Sequence, residues 1–473
     1  MFTGARIRLL AVTCAALFMA MLDNLVLGVA LPSIQQSFEA SLSDLQWFMN
    51  AYTLAFAVLL IPFSMVGERF GRKKMFLIGV VLFTLGSALS GLSENATSLI
   101  LSRALQGIGG AAIVPLSLTL VNAAFPQNMR AAALGIWSGI SGLGLSVGPL
   151  VGGLIVEGAP WQLIFWINVP VGVLAFTLGI FWLRESKGER KPVDVPGILL
   201  LGAGLFGIIF GLEKGNEEGW ASALVVGSIA GGLLLLILFY VSQRNKPHPF
   251  VRFSLFRSHR YAAYIFTGFW MNAGIFGAIF LLTLFLQQGQ QYSALEAGVR
   301  TMAWTGCTML TAPLAGFAVG RFGTRTLLAT GLVLQGLALG GFSALILTFG
   351  VDFPFGYQAP FMMLGGIGMG LSFTPLAHGV LSSVPETSSG EASGVSNATR
   401  ELGGVFGIAI GGLIFQSGGA IRSASDFGDH IVPALLTSAG MIALGLISVL
   451  LFARARATMT TSVAPAQPAG EAS

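Results

Sequence analysis

Charged side chains are scarce in this chain. Only 10% of its 473 residues are Asp, Glu, Lys or Arg, whereas soluble domains carry about 25%. Hydrophobic residues make up 54%, and the mean hydropathy is +0.80. This composition excludes an ordinary soluble domain and predicts that the chain lies in a lipid bilayer. The net charge of +5 is spread between apolar runs, so we do not expect nucleic acid as a partner.

Residue types that catalysis usually requires are also sparse. The only cysteines, Cys14 and Cys307, lie in apolar stretches, which argues against a disulfide framework and against redox chemistry. The sequence contains no metal-ligand cluster, phosphate-binding loop or nucleophile paired with histidine. We therefore predict a protein that is not an enzyme and that holds no metal and no cofactor. The weaker alternatives are a membrane enzyme with Asp23 and Glu401 as acid and base, or a sensor that does not transport.

Long apolar runs are what the chain has in abundance. Fourteen windows of about 20 residues are long enough to cross the core of a bilayer. The first follows Arg6 and Arg8, and because it continues to Leu31 without a convincing cleavage site, we interpret it as a span rather than a signal peptide. Most of the 25 basic residues lie at the termini and in alternate connections, which predicts that both termini are cytoplasmic. The opposite connections hold only Lys214, Arg300 and Arg422.

Two parts of the sequence resemble each other. Residues 69–79 match 321–331, and residues 143–153 match 402–412, in the same order and at nearly equal separations. Chance similarity of glycine-rich apolar helices is the alternative, but the shared order favours duplicated halves. Spans 1 to 6 then correspond to spans 9 to 14. The predicted division is a six-helix bundle over residues 1–190, two inserted spans over 191–245, a second six-helix bundle over 246–456 and a disordered cytoplasmic tail over 457–473.

Charged residues inside the predicted spans are the first candidates for a transport site. They are Asp23, Arg103, Arg400 and Glu401. An unpaired carboxylate is costly to bury, so Asp23 should either pair with a cation or hold a proton. Both states suit a proton carrier, and a structural ion pair with Arg103 is an alternative that does not exclude this role. Glu401 is either a second site for a proton or cation, or part of an ion pair at a helix end.

Span 5 carries glycines at four-residue spacing, which allows helix backbones to approach closely. We expect this span to pack tightly against a helix of the opposite half and to seal a cleft between the halves. General glycine enrichment of membrane helices is the alternative. The residues concerned are Gly144, Gly148, Pro149, Gly152 and Gly153.

These motifs resemble the major facilitator superfamily, specifically its fourteen-span drug:proton antiporter family. Residues 22–32 are similar to the first-span motif, residues 103–110 to the span 4 motif, and residues 144–153 to the antiporter motif of exporters. The resemblance implies an all-α polytopic membrane protein with the major facilitator fold, two six-helix bundles plus two inserted spans. It also implies that Asp23 couples proton movement to cationic substrates and that Arg103 assists proton transfer.

The connection between spans 2 and 3 resembles the superfamily's cytoplasmic gating loop. It departs from the family pattern at Ser64 and Glu68, where glycine and aspartate are usual. In the second half Gly320 replaces the acid, so we expect only the first half to have this latch. The resemblance assigns gating to Glu68, Arg69, Gly71 and Arg72.

The functional hypothesis is a proton-coupled antiporter that exports hydrophobic, often cationic, small molecules by alternating access. The proton gradient supplies the energy, and the partners are a drug-like substrate, protons and the lipid bilayer. We expect a multi-pass monomer in the plasma or inner cell membrane. The alternatives within transport are an exporter dedicated to one metabolite, antibiotic or siderophore, and a symporter working inward. Candidate cavity-lining residues, for each of which helix packing is the alternative, are Tyr52, Trp137, Trp270, Asn272, Trp304 and Arg400.

Overall fold

The computed structural model describes residues 3–187, 194–244, 246, 249, 251–385, 388–418 and 424–452. The secondary structure of these residues is helical, and they form no strand. In the described part of the chain, fourteen helices are long and apolar enough to cross a membrane, which confirms the predicted fold class and number of spans. The tail over 457–473 lies outside the described residues.

The spans are numbered in chain order. The first seven are Gly4–Phe38, Leu42–Phe70, Arg72–Gly91, Ala96–Ala124, Gln127–Gly158, the pair of segments Leu163–Trp166 and Asn168–Trp182, and Val195–Glu218. The last seven are Ala223–Arg244, His259–Leu284, Ala294–Phe322, Thr324–Phe349, Phe355–Leu381, Ser389–Ser417 and Ala424–Phe452. A 3₁₀ turn, Phe253–Arg257, precedes span 9, and a π-helical turn, Phe285–Gly289, follows it.

Polar side chains fix where several spans begin. At span 2, Ser41 Oγ accepts a hydrogen bond from the backbone N–H of Asp44, and the Asp44 carboxylate accepts one from the N–H of Ser41. Each such cap contributes about 1 kcal/mol to helix stability. The same reciprocal arrangement starts span 4 and span 10, where the pairs are Asn95 with Ser98 and Ser293 with Glu296.

Fourteen spans bring both ends of the described chain to one side of the helical layer. We call this side, which holds Gly4 and Phe452, the termini side, and the other side the opposite side. Odd-numbered spans run from the termini side to the opposite side, and even-numbered spans return.

The helices pack as two similar groups. Span 3 packs on span 4, span 2 on span 4 and span 1 on span 5; spans 11 and 12, 10 and 12, and 9 and 13 repeat these three pairs. The groups meet where span 5 packs on span 10 and where span 2 packs on span 13. These two contacts are equivalent under the correspondence between spans 1 to 6 and spans 9 to 14.

Spans 7 and 8 form a hairpin beside one of these two contacts. They pack on each other, and span 7 also packs on spans 2 and 13. We call the apolar cluster that joins the three helices the lateral seam. It consists of Trp47, Ala51, Leu54, Val58, Ile209, Val405 and Ala409.

Candidate functional site

A fully buried carboxylate lies on span 1. Oδ2 of Asp23 is 2.5 Å from Nη1 of Arg103 on span 4. Oδ1 of Asp23 accepts hydrogen bonds from Nε2 of Gln106 at 2.8 Å and from Nδ2 of Asn168 at 2.9 Å. Donors from spans 4 and 6 therefore offset the desolvation of the carboxylate. The structure thus brings Asp23 and Arg103 together as an ion pair.

Arg103, which is 1% exposed, has several partners besides Asp23. Its Nε donates to the carbonyl of Phe48 at 3.1 Å, and its Nη1 donates to Oε1 of Gln106 at 2.7 Å. The guanidinium carbon lies 4.5 Å from the ring centroid of Tyr52 and 5.8 Å from that of Phe165. A desolvated cation–π contact contributes about 2 kcal/mol. These partners hold the guanidinium in place independently of the charge on Asp23.

Ser87 on span 3 supports both amides around Asp23. Its Oγ accepts hydrogen bonds from Asn168 at 3.0 Å and from Gln106 at 3.3 Å, and donates to the carbonyl of Phe165 at 2.9 Å. Sequence reasoning did not assign Ser87, Gln106 or Asn168 to the carboxylate. The available signal was the presence of polar side chains in otherwise apolar spans.

A narrow cavity lies between the two groups of helices. Its wall is mostly apolar, with Leu25 and Val29 from span 1, and includes the hydroxyls of Thr283 and Thr301. Trp304 is among the residues that line this cavity. The other candidates are not among its lining residues; these are Tyr52, Trp137, Trp270, Asn272 and Arg400.

Those other candidates have partners in helix packing. Tyr52 lies under the guanidinium of Arg103, and Trp137 donates from Nε1 to Oγ of Ser117 at 3.0 Å. The ring of Trp270 packs edge-on against that of Phe269, with centroids 5.2 Å apart. For these three side chains, helix packing accounts for the observed contacts.

Arg400 and Glu401 lie on span 13, in the second half, and among the described hydrogen bonds to Asp23, which come from Arg103, Gln106 and Asn168, neither residue takes part. The Arg400 guanidinium lies 4.5 Å from the ring centroid of Phe373, and Nη1 donates to Oδ1 of Asn397 at 3.3 Å. The carbonyl of Arg400 accepts a hydrogen bond from Asn272 at 3.0 Å. Glu401 is half-buried.

The glycine row of span 5 faces span 1. A Cβ placed on Gly148 would lie 3.1 Å from the carbonyl oxygen of Leu22, and one on Gly152 would lie 2.7 Å from that of Val26. Gly144 likewise faces span 1. The expectation that this row packs against the opposite half is therefore wrong for these three glycines, because their close partners are backbone atoms of the same half.

Contact with the opposite half comes from the neighbouring positions of the motif. A Cβ on Gly153 would lie 2.7 Å from the carbonyl oxygen of Ala294, and a Cβ on Gly298 of span 10 would lie closer still to the carbonyl oxygen of Pro149. Span 5 does pack against the opposite half, as expected, through Gly153 and Pro149.

Polar contacts between the halves gather on the opposite side. Gln46 of span 2 donates to the carbonyl of Ile408 at 2.9 Å, and Gln287 donates to the carbonyl of Val29 at 2.9 Å. The Glu157 carboxylate, at the end of span 5, accepts hydrogen bonds from Oγ of Ser293 at 2.6 Å and from the N–H of Leu295 at 3.0 Å. We call these contacts the opposite-side gate.

Two acids hold the connection between spans 2 and 3. The Glu68 carboxylate accepts two hydrogen bonds from the Arg72 guanidinium, each 2.7 Å long. Glu185, beyond span 6, accepts hydrogen bonds from the backbone N–H groups of Lys73 at 3.0 Å and Lys74 at 3.1 Å. Glu185 thereby caps the first turn of span 3. Sequence reasoning missed Glu185, which is distant in sequence and comes from another span's end.

Gly71 lies between these acids in a backbone conformation that other residues rarely adopt, with φ at 122°. A Cβ there would lie 2.6 Å from the carboxyl carbon of Glu185. The guanidinium of Arg69 lies 5.2 Å from the ring centroid of Phe70. At the equivalent turn of the second half, Gly323 has φ at 80° and nothing within 4 Å of an added Cβ.

A further buried acid corrects the sequence interpretation. The charged residues within spans were expected to be four, but span 7 extends to Glu218 and includes Glu213, which is 3% exposed. Oε1 of Glu213 accepts a hydrogen bond from Nδ2 of Asn50 at 2.8 Å. Hydropathy alone did not reveal it, because the run Glu213, Lys214 reads as the start of a polar loop.

The chain matches the model of the Major Facilitator Superfamily over residues 13–408. It belongs to that superfamily and is a transporter rather than an enzyme. The POT family transporter PepTSo has a similar structure, with a TM-score of 0.68 at 14% identity, covering 94% of this chain and 97% of that one. A bacterial homolog of the human lysosomal transporter Spinster, inward-facing and unoccupied, gives 0.66 at 17% identity, covering 96% and 98%. At these identities the two structures establish the fold alone.

Curated relatives are resistance and export proteins. The chain is 34% identical over 411 residues to the tetracenomycin C resistance and export protein of Streptomyces glaucescens, covering 86% of this chain and 76% of that protein. It is 34% identical over 410 residues to the multidrug resistance protein Stp of Mycobacterium tuberculosis, covering 86% and 75%. It is 33% identical over 460 residues to the cephamycin export protein CmcT of Amycolatopsis lactamdurans, covering 95% and 93%. These relatives support a general role in export.

Proposed function

We propose that this chain is a proton-coupled antiporter that exports hydrophobic, often cationic, small molecules by alternating access. The observation that carries the proposal is the buried Asp23–Arg103 pair. A buried carboxylate must be paired or protonated, because leaving one charge of a buried pair without its partner costs about 3–5 kcal/mol. When Asp23 takes a proton, Arg103 retains the Phe48 carbonyl, Gln106 and two aromatic faces. Asp23 is therefore suited to exchange a proton.

The termini side is, in this proposal, cytoplasmic, and the membrane is the plasma or inner membrane of the cell. The support is the concentration of Arg and Lys in the connections on that side. The opposite-side gate then faces the exterior and is closed in this structure. A monomer would suffice, with the bundles over 1–190 and 246–456 rocking against each other around the cavity.

In the proposed cycle, an external proton binds Asp23 and favours exposure of the cavity to the cytoplasm. Substrate then enters from the cytoplasm or inner leaflet and favours release of the proton there. The driving force is sufficient for concentrative export: each charge moved through 100 mV contributes about 2.3 kcal/mol, and each pH unit contributes about 1.4 kcal/mol.

The cavity supports a substrate that is largely apolar. Trp304 contributes an aromatic side chain to the wall, which suits a flat or cationic molecule. The hydroxyls of Thr283 and Thr301 donate to carbonyls of their own spans and can accept a few hydrogen bonds from a substrate. A dedicated exporter of one metabolite, antibiotic or siderophore is the second candidate. It is favoured by relatives whose names specify one compound, such as tetracenomycin C and cephamycin.

Dye efflux from cells lacking their own exporters tests the proposal. Ethidium efflux should be abolished by an uncoupler and by Asp23→Asn, and retained in the matched control Asp352→Asn, whose side chain is exposed. Efflux that continues in Asp23→Asn would exclude Asp23 as the proton carrier. Export of one antibiotic by a well-expressed protein that does not transport ethidium would favour the dedicated exporter.

A further inference from the structure

The buried acid of the inserted hairpin, Glu213, lies at the lateral seam against span 2, the helix whose Phe48 carbonyl and Tyr52 ring contact Arg103. Asn50, its partner on span 2, is fully buried. Trp47 and Ala51 of the seam are within three residues of Asn50, and Ile209 is one helical turn before Glu213. Glu213 is therefore buried beside apolar side chains of the seam, and a buried carboxyl group has a lower desolvation cost when it is neutral.

Protonation of Glu213 does not require its hydrogen bond with Asn50 to break. The amide Nδ2 of Asn50 is the donor and Oε1 of Glu213 the acceptor, and a neutral carboxylic acid still accepts through its carbonyl oxygen. The site can thus bind and release a proton while the hairpin stays attached to span 2.

Span 2 connects this acid to the Asp23 network. The carbonyl of Phe48 accepts from Arg103 and the ring of Tyr52 lies under its guanidinium. Asn50 is two residues from each, about 200° away around the helix, so it presents the other face of span 2 to the hairpin. A displacement of span 2 moves the partners of both acids.

Span 2 is also part of the contact that must change between states. Gln46, one turn before Asn50, donates to the carbonyl of Ile408 on span 13. Separation of spans 2 and 13 would open the seam beside Glu213 and change its access to water. Span 7 packs on both helices, so it would either move with one of them or lose its contacts with them.

We propose that Glu213 is a second proton-binding site of the transport cycle, loaded from external water and unloaded to cytoplasmic water as span 2 moves against span 13. Loading forms one O–H bond on the carboxylate as external hydronium gives up a proton and becomes water, and unloading breaks that bond as cytoplasmic water takes the proton and becomes hydronium. This inference rests on the proposed proton-coupled export. The charged or titratable residues nearest in level on the helices that pack here are Lys214, Glu217 and Glu218 on span 7, Asp44 and Tyr52 on span 2, Arg400 and Glu401 on span 13, and Tyr240 on span 8.

The pH dependence of ethidium binding to the purified full-length protein in detergent tests this inference. If binding displaces one proton, Kd changes about tenfold per pH unit, and if it displaces two, about 100-fold. For the wild-type protein, Kd should change about 100-fold per pH unit. In Glu213→Gln, whose side chain has the same size and can still accept the hydrogen bond from Asn50, Kd should change only about tenfold per pH unit. Glu213→Met is the second variant in case the first is unstable, and Glu218→Gln, an exposed acid at the end of the same span, should match wild type.

The outcomes separate the inference from the function on which it rests. A wild-type Kd that changes only about tenfold per pH unit, or a steep dependence that survives both Glu213 variants, would overturn the second site and leave Asp23 coupling intact. A wild-type Kd that does not change with pH would instead contradict the proposed proton coupling. A purely structural role for Glu213 would lower stability or affinity without changing the slope.

Discussion

Glu157, in the last turn of span 5, accepts a hydrogen bond from the backbone N–H of Leu295 in the first turn of span 10. A carboxylate of one half thus caps a helix of the other half. Anionic groups are stabilised at helix N-termini, where N–H groups lack partners within the helix. This contact should therefore favour the state in which the opposite side is closed.

Replacing Glu157 with Gln should open the opposite-side gate more often. Hydrogen bonds to charged groups contribute about 1.5–3 kcal/mol, and neutral ones about 1 kcal/mol. A loss of about 1.4 kcal/mol would raise the open population about tenfold. The measurement is labelling of Thr301→Cys, which lines the cavity, by an impermeant maleimide added outside. Cys14 and Cys307 must first be replaced.

Glu94→Gln is the matched control for the gate, because Glu94 is an exposed acid on the same side of the first half. The labelling rate of Thr301→Cys in the Glu94→Gln protein should equal its rate in the protein that has Glu at both positions. Equal rates for Glu157→Gln and Glu94→Gln would mean that the Glu157 contact does not hold the gate.

Gly152→Ala should abolish export. An added Cβ would lie 2.7 Å from the carbonyl of Val26, so span 1 must shift, and Asp23 is less than one turn away on that span. Gly139→Ala, in the same helix with nothing within 4 Å of its Cβ, should export normally. Both are measured as uncoupler-sensitive ethidium efflux at matched protein levels. Normal efflux in Gly152→Ala would show that close packing of spans 1 and 5 is dispensable.

Gly71→Ala should destabilise the protein more than Gly323→Ala. Both glycines have positive φ, so either change introduces backbone strain of about 1–3 kcal/mol. Only at Gly71 would the Cβ also collide with Glu185 and disturb the cap of span 3. Thermal unfolding in detergent compares the two variants directly. A larger loss for Gly323→Ala would contradict the role of Glu185 as a cap.

Asp194 should stabilise the inserted hairpin in a pH-dependent way. Burial alone would raise the pKa of Asp194, but hydrogen bonds from Lys246, Gln243 and the N–H of Gly197, and the charge of Lys246, lower its pKa overall. A carboxyl group whose pKa is lower in the folded state contributes stability above its unfolded pKa, and this contribution is lost as the pH falls through the folded value.

The stability difference between wild type and Asp194→Asn should therefore be constant near neutral pH. It should shrink only as the pH falls below the ordinary value of 3.8. Thermal unfolding over a pH series measures it, with Asp352→Asn as the exposed control. If the stability difference already disappears at pH values well above 3.8, the pKa of Asp194 is not lowered in the folded protein.

The sequence predicted the spans, and it offered an ion pair of Asp23 with Arg103 as one alternative, because both depend on local signals. Apolar runs of sufficient length must cross lipid, and a carboxylate within one of them requires a partner, for which Arg103 was the available cation. The loop between spans 2 and 3 was assigned from the family resemblance alone, and in the structure Glu68 and Arg72, four residues apart, form an ion pair within it.

Other residues depend on tertiary contacts that no local pattern encodes. Ser87 and Glu185 act on groups far away in the sequence, through spans whose relative rotation is set by packing. The packing partner of the span 5 glycines was assigned wrongly for the same reason. Their four-residue spacing shows that one face of span 5 lacks side chains, but it does not show which helix packs against that face. Glu213 was missed because adjacent polar residues resemble a loop until the helix is seen to continue.

The most direct test of the central claim is transport into proteoliposomes under an imposed pH gradient, with ethidium flux and proton flux recorded together. Wild type and Asp352→Asn should exchange ethidium for protons in opposite directions, and both fluxes should be absent in Asp23→Asn. Ethidium movement without proton counterflow in wild type, or unchanged coupled exchange in Asp23→Asn, would contradict Asp23 as the residue that couples export to protons.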